Sequence, residues 1–176
     1  MSLRNITLVS FGRFDNDFLN KLVEGISKEF QLQVKAKEGF IDLSDYYDPL
    51  RRQYNGNDLL KEVDTRYSFD SLKTIGLFNV DLFIPILTYI FGQAQLDGKS
   101  GIVSLYRLSN ERYGIAPDDN VLLDRAIKEV VHELGHTFGL IHCHTPTCVM
   151  RSSTYVEDLD QKSANLCHNC QKVLNF

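Results

Sequence analysis

The 176-residue sequence is short of three things, and each shortage removes a class of function. It has no excess of positive charge: 19 Lys and Arg stand against 23 Asp and Glu, a net charge of −4 with histidines neutral. Polyanions are held by sustained positive potential, so neither nucleic acid nor an anionic membrane surface is expected as a partner. It has no long apolar run. The most apolar stretch, residues 82–91, contains Pro85, Thr88 and Tyr89 and is about half the length that spans a bilayer. The opening MSLRNITLVSF lacks the basic patch, long apolar run and small-residue cleavage site of a signal peptide. A soluble, cytoplasmic, monomeric protein is the expectation. Finally, there is no cysteine before residue 143. All four, Cys143, Cys148, Cys167 and Cys170, crowd into the last fifth of the chain. In a reducing compartment, cysteines in CxxC spacing bind metal more often than they pair as disulfides.

What is present reads as one α/β domain, with 43% hydrophobic residues to supply a core. A β-branched and apolar run at residues 6–11 precedes Asp15 or Asn16 as a helix cap, and Phe18, Leu22, Ile26 and Phe30 then recur by four along one helix face. Leu32, Val34 and Ala36 alternate with polar residues, which completes a βαβ opening and predicts two parallel neighbouring strands. Residues 37–56 are polar and turn-rich and read as a long surface loop. Asn57 is positioned to cap a short helix through Leu59, Leu60 and Val63. Short apolar runs at 73–78, 81–87, 90–95 and 102–106 read as strands, the last two as a hairpin about Asp97-Gly98. A second long helix is predicted from Asp118, Asp119 or Asn120 to about Gly139, with Leu123, Ile127, Val130 and Leu134 as its apolar stripe.

On the opposite side of that helix the sequence reads HELGHTFGLIH, His132 to His142. Imidazoles four residues apart on one helical face reach a common ion, while the glutamate between them, Glu133, lies beside it. Gly139 can take the left-handed conformation that ends a helix sharply, and so return His142 to the same ion. A fixed pattern of this kind arises by chance on the order of 10⁻⁵ times per chain. Three neutral imidazoles leave a tetrahedral zinc one open position, and zinc there lowers the pKa of bound water towards about 7. Glu133 can take that proton as general base and return it to the leaving amine as general acid.

HExxHxxGxxH followed by a methionine resembles the metzincin zinc metallopeptidases, and the continuation to Cys170 resembles their archaemetzincin branch. The resemblance implies His132, His136 and His142 as ligands of a catalytic zinc, Glu133 as general base and acid, Gly139 as the turn, and Met150 in a Met-turn beneath the ligands. It implies an α+β zincin-like fold: a mixed twisted sheet of about five strands over an active-site helix. An antiparallel edge strand, here residues 90–95, would align an extended peptide by strand addition. The domain then divides into an N-terminal subdomain, 1–139, and a short zinc-clamped C-terminal subdomain, 140–176.

Four thiolates complete a closed tetrahedral site, so Cys143, Cys148, Cys167 and Cys170 are expected to hold a second, structural zinc. Two disulfides or free thiols are the alternative use of the same residues. His144 and His168 are assigned to loops, and Tyr155 to ordinary packing. Glu111, Asp118 and Asp119 are read as solvated carboxylates, although an aminopeptidase would need such a group for a substrate's free amine. A catalytically silent peptide-binding scaffold and a purely structural two-zinc module use the same motifs; an intact Glu133 and an open metal position favour the peptidase.

Overall fold

The structure, a computed structural model, describes residues 4–175. Residues 1–3 of the opening segment, and residue 176, lie outside them. The elements in chain order are β1 (Asn5–Phe11), α1 (Asn16–Phe30), β2 (Gln33–Gly39), β3 (Tyr47–Asp48), β4 (Gln53–Asn55), α2 (Gly56–Tyr67), β5 (Lys73–Phe78), β6 (Leu82–Phe83), β7 (Gly92–Ala94), β8 (Ser100–Ser104), α3 (Asp119–Thr137), α4 (Val156–Gln161) and α5 (His168–Leu174). The main sheet runs β2-β1-β5-β8-β7, with every pair parallel except β7, which lies antiparallel to β8 at the edge. This is the mixed five-stranded sheet with one antiparallel edge strand that the sequence led us to expect.

Alternation along the strands divides the core in two. Ile6, Leu8, Ile75, Leu77 and Val103 point to the layer formed by α1 and α3, whereas Val9, Phe11, Phe78 and Ile102 point to the layer formed by α2. α1 begins where Asp15 accepts the Phe18 N–H at 3.0 Å, and it buries Leu22, Ile26 and Phe30 on the face predicted by their spacing.

Three sequence expectations are corrected. Residues 37–56 are not simply a loop: β2 continues to Gly39, a 3-10 turn follows at Leu43–Tyr46, and β3 pairs antiparallel with β4, which pairs in parallel with β6. Strands of two or three residues are too short to announce themselves by alternation. α2 is capped by Asn55, whose side chain accepts from the Asn57 and Asp58 N–H groups at 3.0 and 3.4 Å, and not by Asn57. The runs at 81–87 and 90–95 contract to β6 and β7, with Ile90 retained as an isolated bridge to Leu82; the chain between them is held by side chains, as described below.

α3 is capped by Asp118, which accepts from Asn120 and Val121 at 2.9 and 3.1 Å. Its second half is buried except at His136, which is half-buried: Val130, Val131 and Leu134 face the core, while Glu129, His132 and Glu133 are buried beneath the edge of the sheet. The early stripe positions Leu123 and Ile127 are only half-buried. Phe30, fully buried, stacks on Phe138 just beyond α3 at 5.3 Å and so joins the two helices. Phe30→Ala is expected to cost about 3–5 kcal/mol, read as a lower urea midpoint with an unchanged slope.

Candidate metal centre and active-site cleft

The last turn of α3 brings the three histidines together. Gly139, at φ +93, ends the helix: its N–H donates to the His136 carbonyl at 2.9 Å, and the Leu140 N–H to the Gly135 carbonyl at 2.9 Å. The turn aims the Leu140 carbonyl at His136 Nδ1, 2.8 Å away, and returns the chain so that the ligand atoms of His132, His136 and His142 lie within 4.8 Å of one another. His132 Nδ1 is likewise 2.8 Å from the Val149 carbonyl.

These contacts test whether a metal fits. A carbonyl only accepts, so Nδ1 must carry the proton on both rings, and Nε2 carries a lone pair. The two Nε2 atoms are 3.1 Å apart. Two lone pairs at that distance need a cation between them, and tetrahedral zinc with Zn–N of about 2.0–2.1 Å would set them about 3.3 Å apart. Burial holds all three imidazoles below their usual pKa, His132 most strongly, with the nearby Lys162 ammonium acting in the same direction; they are neutral, as ligands must be.

Glu133 is buried against the edge strand. A Cβ on Gly92, the first residue of β7, would stand 2.9 and 3.0 Å from Cγ and Oε1 of Glu133, so the absence of a side chain there makes room for the carboxylate. Burial pushes the Glu133 carboxyl well above its ordinary pKa, and Glu129, one helical turn earlier and sharing a hydrogen bond with it, pushes it further. Lys162 is the buried cation facing this pair. Its Nζ donates to the Val149 and Arg151 carbonyls, each at 2.8 Å, which bracket Met150. Met150 is fully buried, and a Cβ on Gly135 would overlap its sulfur, so α3 and the loop carrying Met150 pack as closely as glycine permits.

The four cysteines form the second group, with all Sγ atoms within 4.8 Å of one another. Cys143 and Cys167 sulfurs are 3.8 Å apart, as are those of Cys148 and Cys170. A disulfide needs about 2.05 Å, whereas tetrahedral zinc at Zn–S of about 2.3 Å sets sulfurs about 3.8 Å apart. The Thr145 and Cys167 N–H groups point at Cys143 and Cys148 sulfurs at 3.5 and 3.4 Å. Backbone hydrogen bonding brings the Cys167 thiol down to about 6, which favours a thiolate there.

The histidine site opens into a cleft of about 590 Å³. Residues 87–94 form one rim and residues 152–155 the other, with Glu129, Glu133 and Lys162 on the floor.

The family model of peptidase family M54 matches residues 20–175. The chain belongs to that family. It is 39% identical to the archaemetzincin of Pyrococcus horikoshii over 161 residues, 89% of this chain and 85% of the relative. With that of Pyrococcus furiosus the identity is 38%, over 96% of this chain and 91% of the relative. Among solved structures it is similar to the archaemetzincin of Methanopyrus kandleri (34% identity, TM-score 0.85, 98% and 94% of the two chains). It is also similar to a zinc-dependent peptidase from Methanocorpusculum labreanum (30%, TM-score 0.88, 97% and 100%). Family membership makes this chain a zinc metallopeptidase with peptide substrates.

The remaining candidates fall elsewhere. His144 and His168 are exposed and outside both groups. Glu111, Asp118 and Asp119 do not line the cleft, and Asp118 is committed to capping α3. Tyr155 stands in the cleft wall, 63% exposed, instead of packing into the core. Sequence reading missed Glu129, Lys162 and Gly92. Glu129 could have been found as the carboxylate four residues before Glu133 on the same helix face; Lys162 and Gly92 carry no local signal. Glu129→Gln removes the neighbouring acid that raises Glu133, so the acid limb of the pH–kcat/KM profile is expected to move to lower pH.

Proposed function

We propose that this chain hydrolyses peptide bonds at a zinc held by His132, His136 and His142, with Glu133 as general base and acid, and that a second, structural zinc is held by Cys143, Cys148, Cys167 and Cys170. The observation that carries this reading is the pair of opposed Nε2 lone pairs at 3.1 Å beside a buried carboxylate. Zinc supplies Lewis acidity, activating water and polarising the scissile carbonyl. Glu133, raised in pKa and seated beside the site, takes a proton from the attacking water and hands it to the leaving amine; a carboxyl poised nearer neutrality does both efficiently. Backbone carbonyls at Val149 and Leu140 hold the two helical imidazoles in the tautomer that ligation requires. Met150 packs under the ligands, and Gly139 makes the turn that returns the third.

The free edge of β7 receives the substrate as an added strand, which satisfies its backbone while leaving the scissile carbonyl over the histidines. Residues 140–176 act as a C-terminal subdomain organised by the thiolates. Cys143 follows His142 directly, so the structural ion steadies the third ligand of the catalytic one. The chain acts as a monomer in the cytoplasm, with neither nucleic acid nor membrane as partner.

Chelator-sensitive cleavage of a mixed peptide library is expected in the wild type, and Glu133→Ala should lose about 10²–10⁴-fold, the span of general acid–base catalysis. Two bound zincs without cleavage beyond Glu133→Ala would favour a silent peptide-binding scaffold. Replacing Cys167 and Cys170 by Ser is expected to lower zinc content by elemental analysis from two ions to one, and to weaken retention of that one against chelator.

A further inference from the structure

Resting on the peptidase reading of the cleft, we propose that the cleft is closed on its leaving-group side by Tyr89, so that the enzyme removes short C-terminal fragments and does not cut long chains in their middle.

The direction of the cleft follows from the residues along α3 and β7. At one end the Asp97 N–H donates to the His136 carbonyl at 2.9 Å, which sets the far end of the hairpin beside the last turn of the helix. Towards the other end, Glu133 abuts Gly92, and Glu129 lies a turn further on. Glu133 therefore stands on the Tyr89 side of His136. The leaving amine takes its proton from Glu133, so the substrate beyond the cleaved bond runs towards Tyr89, antiparallel to β7.

There the rims meet. The Tyr89 hydroxyl donates to the Thr154 carbonyl at 2.8 Å, joining the segment before β7 to the segment after the Met-turn across the cleft. The tyrosine is braced from behind. Its ring carries the Arg107 guanidinium at 4.1 Å and meets Phe91 edge-on at 5.6 Å, and Arg107 is fixed to Asp81 by two hydrogen bonds of 2.6 and 2.7 Å. The rim itself is tied down by Arg51, which donates to the Leu87 carbonyl at 3.0 Å, and by Gln53, which donates to the Thr88 carbonyl at 2.9 Å. Ser153, next to Thr154, has a buried hydroxyl with no hydrogen-bond partner among the described residues, a donor available to the carboxylate of a chain that ends there. Tyr89 precedes Gly92 by three positions, with Ile90 and Phe91 between them, a span of at most about 10 Å, so no more than about three substrate residues fit beyond the cleaved bond.

The test uses zinc-loaded full-length protein and peptides of one sequence, lengthened either only before or only after the cleaved bond, with fragments identified by mass spectrometry. Wild type is expected to tolerate lengthening before the bond and to lose about tenfold or more in kcat/KM once more than about three residues follow it, the order of effect of breaking one hydrogen bond to admit the chain. Tyr89→Phe, which keeps the ring, should shrink that ratio several-fold and release longer C-terminal fragments; its thermal midpoint and zinc content report whether it has folded. Calorimetry on Glu133→Gln supplies a readout free of turnover: peptides with six residues after the bond should bind more weakly than those with two, and Tyr89→Phe combined with Glu133→Gln should remove the difference. Equal cleavage of short and long extensions by wild type, or a length limit unchanged in folded Tyr89→Phe, overturns the inference alone. Products that persist in Glu133→Gln overturn the proposed function and this inference with it.

Discussion

One backbone carbonyl holds the site together. The oxygen of Val149 accepts from His132 Nδ1 and from Lys162 Nζ, both at 2.8 Å, and in doing so fixes the orientation of the His132 ring, the course of the loop before Met150 and the position of a buried cation. Lys162 extends the arrangement to the Arg151 carbonyl and faces the Glu129–Glu133 pair, so one carbonyl anchors both the His132 ring and the cation beside the proposed general base. Burying a cation and two carboxyls is costly unless each is matched; here Lys162 donates to two carbonyls, while Glu129 and Glu133 share a hydrogen bond within reach of its charge.

The tail of the chain is part of the same core and not an appendage. Leu140, Val149, Met150, Val156, Leu159 and Leu166 are buried in one cluster with α1 and α3. Glu29 at the end of α1 accepts from the Asn165 side chain and the Leu166 N–H, both at 2.7 Å, and Arg125 in α3 grips Asp160 through two bonds of 2.8 and 2.7 Å. A thiolate-bound ion at the centre of this segment would therefore act on His132, His136 and His142 through short, well-packed connections.

The parts legible in the sequence were those in which local spacing carries the meaning. His132 and His136 sit at helical spacing, Gly139 is needed for its positive φ, and the period of four in α1 and the βαβ opening needed nothing beyond neighbouring residues. The parts that were not legible depend on contacts distant in the chain. Gly92 matters because Glu133 lies against it, Lys162 because two carbonyls more than ten residues earlier converge on it, and Tyr89 because Thr154 comes within 2.8 Å. The small β3-β4-β6 sheet was hidden for a related reason: its strands are shorter than any period by which a strand is recognised, and Gln53 and Arg51 replace absent ladder bonds with side-chain bonds to the rim.

The proposed pair of ions, of different roles, would occupy two preformed donor sets, one open and one closed. An anomalous difference map at the zinc absorption edge, from crystals grown without added metal, tests it directly. Two peaks are expected, one at the convergence of the His132, His136 and His142 rings with a non-protein fourth ligand, and one enclosed by the four cysteine sulfurs. A single peak, sulfurs joined pairwise at disulfide distance, or a fourth protein ligand closing the histidine site would contradict it.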